Sequence, residues 1–97
     1  MSKVISIDPG KSKCGLVLAE ISEKKVYEAI VIRSELLEGY VRNLNSVENI
    51  SKIIIGNGTT SREITKKMDF FKKEIIIFEE KKYYFQSKIK IFRTFSN

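Results

Sequence analysis

The sequence predicts an α/β protein in which a mixed β-sheet is flanked by helices. Three strand-like segments follow one another in the first third of the chain, separated by short polar loops, and such strands pair antiparallel. Two wholly apolar runs come later, each preceded by a segment with helical periodicity, which is typical of buried parallel strands. Right-handed crossovers place these fourth and fifth strands parallel to the first and beside it.

Alternating apolar residues and the turns between them indicate the first three strands. Residues 3–8 form an apolar run that ends at Pro9-Gly10, a typical turn pair. Residues 15–20 form the second strand, and a polar break at residues 22–24 separates it from the third strand at residues 25–32. The result is a three-stranded antiparallel meander.

The apolar period changes to three or four residues after Arg33, which indicates a helix. Ser34 is the expected cap, and residues 43–46 are expected to break the helix. The apolar side of this helix is expected to consist of Leu36, Leu37, Tyr40, Val41 and Leu44.

The second half of the chain contains two buried strands with a helix between them. Residues 52–56 and 74–78 are the apolar runs, and Thr60 with Glu63 has the spacing of a capping box that opens the helix. The apolar side of this second helix is expected to consist of Ile64, Met68 and Phe71. Residues 83–95 combine helical spacing with a short alternation, so helix and strand both remain open there.

Composition excludes several classes of protein. The absence of histidine excludes an imidazole base or ligand, and a single cysteine, Cys14, excludes a disulfide framework and a multi-cysteine zinc site. No apolar run approaches the roughly 20 residues needed to cross a bilayer, and the first residues lead into a strand rather than a signal peptide. We expect one soluble, cytoplasmic domain spanning residues 1–97, with no membrane partner.

The positive charge is concentrated in the last third of the chain. The formal net charge is +6, and the segment from Thr65 onward contains nine basic and four acidic residues. A basic surface attracts polyanions, and nucleic acid is the commonest polyanion of a cytoplasm. The alternative is that the paired lysines form only a solvated surface.

Carboxylates at two strand ends are the candidate catalytic groups. Asp8 ends the first strand, and Glu79 and Glu80 follow the fifth. Because parallel strands share their carboxyl edge, Glu79 or Glu80 is expected to approach Asp8, and paired carboxylates bind Mg²⁺ in phosphodiester cleavage. The alternatives are an aspartate that starts a Pro-Gly turn and a solvated Glu-Glu-Lys-Lys turn.

The loop after the fourth strand is a candidate phosphate contact. Asn57, Gly58 and Thr59 lie between a buried strand and the start of a helix, where glycine allows close approach of a ligand to the backbone. The alternative is an ordinary Asn-Gly turn followed by a helix cap.

Three segments resemble a known family. Residues 4–15 (Val-Ile-Ser-Ile-Asp-Pro-Gly-Lys-Ser-Lys-Cys-Gly) resemble the opening of the YqgF family, RNase H-like proteins related to Holliday-junction resolvases. Residues 53–63 (Ile-Ile-Ile-Gly-Asn-Gly-Thr-Thr-Ser-Arg-Glu) look like the corresponding stretch of the YqgF-like domain of the transcription accessory protein Tex. Residues 75–81 are similar to the family's hydrophobic strand ending in Asp-Glu-Arg. The three segments occur in the family order across residues 3–82.

The resemblance implies an RNase H-like sheet of order 3-2-1-4-5, with strand 2 antiparallel and metal-binding acids at its carboxyl edge. It implies that Asp8 and Glu80 are catalytic and hold Mg²⁺ or Mn²⁺, with Glu79 as the substitute for Glu80. The residues expected to contact nucleic acid are Lys11, Lys13, Asn57, Gly58, Thr59, Arg62, Lys81 and Lys82.

One departure from the family leaves the function open. The family's third acid is an aspartate on a final helix, but the only aspartates here are Asp8 and Asp69, and the 17 residues after Glu80 include no acid. The C-terminal part of the fold is therefore expected to be truncated.

Three functions follow from these features. The first is a metal-dependent nuclease acting on branched DNA or structured RNA. The alternatives are a non-catalytic RNase H-like module that binds nucleic acid or a protein, and a subunit that forms a homodimer through its C-terminal aromatic segment.

Overall fold

A computed structural model of the chain describes residues 2–58 and 60–78. Its strands are β1 (Lys3–Asp8), β2 (Lys13–Glu20), β3 (Lys25–Arg33), β4 (Ile50–Gly56) and β5 (Glu74–Phe78), and its helices are α1 (Leu37–Val47) and α2 (Ser61–Lys67). Two 3₁₀ turns, Ser34–Leu36 and Met68–Phe70, lead into α1 and out of α2. The helix-or-strand alternative for residues 83–95 and the aromatic dimer segment lie outside the described residues.

The strands form one mixed five-stranded sheet of order β3-β2-β1-β4-β5. β2 is antiparallel to both of its neighbours, whereas β1, β4 and β5 are parallel to one another. The predicted order and strand directions are confirmed. The expectation that the fifth strand also lies beside the first is wrong, because β5 pairs with β4 and β4 separates it from β1.

The loop between β2 and β3 is held by hydrogen bonds to one carboxylate. Glu20 accepts hydrogen bonds from Ser22 Oγ at 2.6 Å and from the Glu23 N–H at 2.7 Å. These bonds lower the pKa of Glu20, and the bond from Ser22 has the larger effect. Lys24 completes the loop with φ of 54°, a left-handed conformation that is uncommon for a residue with a side chain.

Both described helices pack on the same face of the sheet, which we call the helix face. Side chains alternate along each strand, so Ile5 and Ile7 of β1 and Ile53 and Ile55 of β4 all point to this face. The helices and the segment that follows α2 add apolar side chains to the same cluster, namely Leu37, Val41 and Leu44 of α1, Ile64 of α2, and Met68 and Phe71 after it. The predicted burial of Ile64, Met68 and Phe71 is confirmed, but α2 ends at Lys67 and contains only the first of them.

Two expectations for the first helix are wrong. Leu36 is 57% exposed because it ends the 3₁₀ turn before α1 and does not lie on the apolar side of the helix. The helix does not break at residues 43–46 but continues to Val47, because Leu44 is buried against the sheet and holds that turn in place.

The other face of the sheet, which we call the open face because no described helix packs on it, carries a smaller cluster of buried apolar residues. Val17, Ala19 and Ile54 form it, with Val26, Ile76 and Phe78 packed against them. Among the residues that the structure describes, no helical residue joins this cluster. β4 is buried on both faces, as predicted, whereas β5 is only half-buried because it lies at the end of the described sheet. The described chain contains no helix long and apolar enough to span a membrane.

Tyr40 links α1 to β3 and should make stability depend on pH. Its hydroxyl donates to Glu28 Oε1, and this bond, together with burial, raises the pKa of Tyr40 to about 12. Because a tyrosine in an unfolded chain titrates near pH 10, protonated Tyr40 stabilises the fold below about pH 10, and this contribution is lost as the pH rises towards 12.

We expect Tyr40→Phe to lower the free energy of unfolding at pH 7 by about 1 kcal/mol, the net contribution of one hydrogen bond. The variant should also lose less stability than the wild type between pH 10 and 12. Urea unfolding at pH 7, 10 and 11 measures both effects, with Tyr27→Phe, at a half-exposed tyrosine, as the control. Equal losses in the two variants would remove the role of the Tyr40 hydrogen bond.

Candidate functional site

The carboxyl ends of four strands meet at one edge of the sheet. β1, β3, β4 and β5 all run in the same direction, because β3 and β1 are both antiparallel to β2. The segments that follow these strands begin at residues 9, 34, 57 and 79. We call this side of the sheet the carboxyl edge, and it contains nearly all the described residues that the sequence singled out.

Asp8 lies near the middle of the carboxyl edge with a glycine on either side. It pairs with Gly15 of β2, and because Ile7 pairs with Ile55, the residue beside Asp8 on β4 is Gly56. Neither neighbour has a side chain that could cover the half-buried carboxylate from the side. A Cβ added at Gly15 would lie 3.6 Å from the Cβ of Asp8, so a larger side chain there would crowd Asp8. The two sheet neighbours of Asp8 are therefore both without side chains, and Gly56 is itself buried.

The turn after Asp8 is fastened to the segment that follows β3. Ser34 Oγ donates to the carbonyl oxygen of Gly10 at 2.8 Å, and the Ser34 N–H donates to the carbonyl of Ser12 at 2.9 Å. The buried Cys14 Sγ lies 3.2 Å from Ser34 Oγ. Ser34 was expected to cap the first helix, but its side chain makes no cap hydrogen bond and holds the Asp8 turn instead.

The loop after β4 is built around Ser61 rather than around the expected capping box. Ser61 Oγ lies 3.1 Å from Asn57 Oδ1 and 2.9 Å from the carbonyl oxygen of Gly58, and it can donate to either. The Asn57 N–H donates to the carbonyl of Phe78 at 2.8 Å, which ties this loop to the end of β5. Thr60 makes no side-chain cap bond, so the capping box is wrong.

The predicted nucleic-acid contacts are divided between two places at the carboxyl edge. Lys11 and Lys13 are exposed in the Asp8 turn and at the start of β2. Arg62 is exposed on α2, where it lines a cavity of about 280 Å³ together with Ser61, Thr65, Lys66 and Ile77. Asn57 is exposed and Gly58 is half-buried in the loop between these places. Thr59, Lys81 and Lys82 lie outside the described residues.

Asp8 is the one predicted metal ligand that the structure describes. In residues 2–58 and 60–78 no three of the aspartate, glutamate and cysteine side chains come together as a metal-binding group. Glu79 and Glu80 lie outside this range, but they follow Phe78, which is level with Asp8 in the parallel register. Two strand spacings, about 10 Å, separate the ends of β1 and β5. The described residues thus include one of the predicted ligands and do not by themselves form a Mg²⁺ site.

Two basic residues of the carboxyl edge were not found from the sequence. Lys66 lies one helical turn after Arg62, on the same cavity, and this i, i+4 spacing could have revealed it. Arg33 is opposite Lys13 in the β2–β3 ladder. It was missed because both strands are longer than predicted: β2 starts two residues earlier and β3 ends one residue later.

Comparison with solved structures gives a remote likeness. No family model matches the sequence, and no curated protein matches it. A crystal structure described as an uncharacterized protein with similarity to peptidase YEAZ, from Pseudomonas aeruginosa, has a TM-score of 0.48 and 15% sequence identity over 80% of this chain. The match covers 43% of that protein, so this chain spans less than half of its length.

Proposed function

We propose that the protein is a metal-dependent nuclease of the Holliday-junction-resolvase-like class with an RNase H-like fold, and a member of the YqgF family. Its substrate would be branched DNA or structured RNA. The observation that carries the proposal is the position of Asp8 at the end of the central strand β1, between two glycines and near Lys11 and Lys13. A carboxylate between two glycines, followed by exposed lysines in the next turn and strand, suits a phosphodiester with its metal ion.

The proposed roles follow from charge and position. Asp8 would hold Mg²⁺ or Mn²⁺ together with Glu80, or with Glu79 in its place, and the metal would supply Lewis acidity and activate a water. Lys11, Lys13 and Arg62 bind phosphates on either side of the scissile bond. The loop at Asn57 and Gly58, with Thr59, Lys81 and Lys82, completes the proposed contacts with nucleic acid. The buried free thiol of Cys14 agrees with a reducing, cytoplasmic location.

The second candidate is a non-catalytic module that binds nucleic acid or a protein partner. It is favoured by one observation, that the described residues bring no second acid to Asp8 as part of a three-residue metal-binding group. The net charge of +6 and the basic residues of the carboxyl edge serve binding equally well without cleavage. The homodimer through the C-terminal aromatic segment stays a prediction.

Cleavage and binding assays with the wild-type protein separate the two candidates. The substrates are a four-way DNA junction, a stem-loop RNA and a linear DNA duplex, each tested with Mg²⁺, Mn²⁺ or EDTA. The nuclease proposal expects cleavage of the junction or the RNA with either metal, little cleavage of the linear duplex, and none in EDTA. Binding that weakens steeply with salt, without cleavage under any metal, would support the second candidate. Neither binding nor cleavage would contradict both.

A further inference from the structure

Two cations face each other across the β2–β3 ladder, and no acidic side chain in residues 2–58 and 60–78 forms an ion pair with both of them. Lys13 and Arg33 are directly opposite in the antiparallel register, and both side chains are exposed. Like charges at directly opposite positions of a sheet destabilise it. An arrangement that costs stability and lies beside a candidate site suggests a ligand that binds between the two charges.

The pair points to the open face of the sheet, on which the side chain of Asp8 also lies. Side chains alternate along β2, so Lys13 shares its face with Gly15 and with Val17 of the open-face cluster. Asp8 pairs with Gly15 and therefore points the same way. Measured along the strand direction, Lys13 and Arg33 therefore lie about 7 Å, or two residues, from the level of Asp8 and Gly15.

Glu35 competes for only one of the two cations. Its Oε1 lies 3.6 Å from Arg33 Nη1, and the two side chains are 71% and 73% exposed. An ion pair this long and this exposed contributes little, because water and salt screen it. An anion with several oxygens can accept hydrogen bonds from the Arg33 guanidinium and the Lys13 ammonium together, which Glu35 is not seen to do.

We propose that Lys13 and Arg33 form a phosphate-binding pair that holds the backbone of the nucleic acid one step away from the phosphodiester at Asp8. The identity of the polyanion as nucleic acid rests on the proposed function, whereas the affinity of the pair for phosphate does not. Arg33 is the new member of the site. Its bound phosphate offsets the repulsion between the two cations and sets the direction in which the strand passes the carboxyl edge.

Salt-dependent binding in EDTA tests the pair without any need for cleavage. The variants are Lys13→Gln and Arg33→Gln, and the control is Lys25→Gln, which removes the same charge from the opposite end of β3. Each test variant should bind the DNA junction about fivefold to tenfold more weakly at 0.1 M salt, used here as a typical ionic strength, and should reduce the slope of log affinity against log salt by about 1. Glu35→Gln should strengthen binding slightly, because it removes a negative charge beside Arg33.

Thermal unfolding shows whether each variant keeps the fold. Removing one of two repelling charges should leave Tm unchanged or raise it, so weaker binding at an unchanged Tm is a loss of contact. If Lys13→Gln and Arg33→Gln bind with the same affinity and salt slope as Lys25→Gln, the proposed phosphate-binding pair is wrong, even if the wild type cleaves nucleic acid.

If the wild type binds no nucleic acid, the pair is tested by titration with pyrophosphate. The measured quantity is the NMR chemical shift of each backbone amide. Changes in amide chemical shift that centre on Lys13 and Arg33, and that disappear in either variant, would show that the pair binds phosphate. In that case the pair would stand although the proposed function fails. Shifts no larger than those at Lys25 would overturn the pair as well.

Discussion

Replacing Asp8 with asparagine is expected to lower the rate of metal-dependent cleavage by about 100-fold or more. Asparagine preserves the size and shape of the side chain but removes the negative charge, and a neutral amide oxygen is a much poorer ligand for Mg²⁺. A 100-fold loss corresponds to about 2.7 kcal/mol of transition-state stabilisation, which is within the several kcal/mol that a bound metal ion contributes. Single-turnover cleavage of the four-way junction in Mg²⁺ and in Mn²⁺ measures the effect.

Asp69→Asn is the matched control, because Asp69 is the other aspartate of the chain. It is exposed in the 3₁₀ turn Met68–Phe70, which precedes β5 and so lies at the opposite end of the sheet from the carboxyl edge. The control should cleave at the wild-type rate. Equal rates for Asp8→Asn and the wild type would remove Asp8 from the catalytic site. Equal losses in Asp8→Asn and Asp69→Asn would trace the effect to net charge rather than to position.

Strand order was predictable because it depends on local rules. Short polar loops require the first three strands to pair antiparallel, and the two helix-containing connections require β4 and β5 to be parallel to β1. The burial of Ile64, Met68 and Phe71 was likewise predictable from their spacing of three to four residues. Each of these features needs information from only a few neighbouring residues.

The partners of polar side chains were not predictable, because they lie far away in sequence. Ser34 has the residue type of a helix cap, yet its hydroxyl bonds to Gly10, which is 24 positions earlier. Thr60 and Glu63 have the spacing of a capping box, but the neighbouring Ser61 holds the loop through Asn57. A propensity describes what a side chain can do locally, and the tertiary fold decides which partner it meets.

The candidate site was predictable in the same partial way. Asp8 was placed correctly at the carboxyl end of the central strand, since a turn must follow it at Pro9-Gly10. Arg33 was missed because its relation to Lys13 depends on the register of β2 and β3. That register contains a bulge near Leu18, where Tyr27 is the extra residue, and hydrophobic alternation alone does not locate it.

Gly10→Ala is expected to be the most destabilising single-methyl change in the Asp8 turn. Gly10 has no positive φ, so its requirement for glycine comes from close packing and not from backbone conformation. A Cβ at this position would overlap the carbonyl oxygen of Lys13 and lie 3.2 Å from the carbonyl carbon. Because both atoms belong to the backbone, no side-chain rotation relieves the overlap, and the turn itself has to move.

Movement of this turn also breaks the contacts that position Asp8. The Gly10 carbonyl accepts the hydrogen bond from Ser34 Oγ, and a shift of the turn separates the two groups. Overlap and a lost hydrogen bond together should lower the free energy of unfolding by about 2 to 4 kcal/mol, or Tm by roughly 10 °C or more for a domain of this size. Because the same turn follows Asp8, cleavage should fall together with stability.

Gly39→Ala makes the opposite prediction with the same chemical change. Gly39 is exposed within α1, where an added Cβ would meet nothing within 4 Å, and alanine is preferred over glycine in a helix by about 1 kcal/mol. Urea unfolding of both variants should therefore give shifts of opposite sign. If Gly10→Ala were as stable as the wild type, the turn would have to be loose enough to accept a methyl group, and a rigid support for Asp8 would be contradicted.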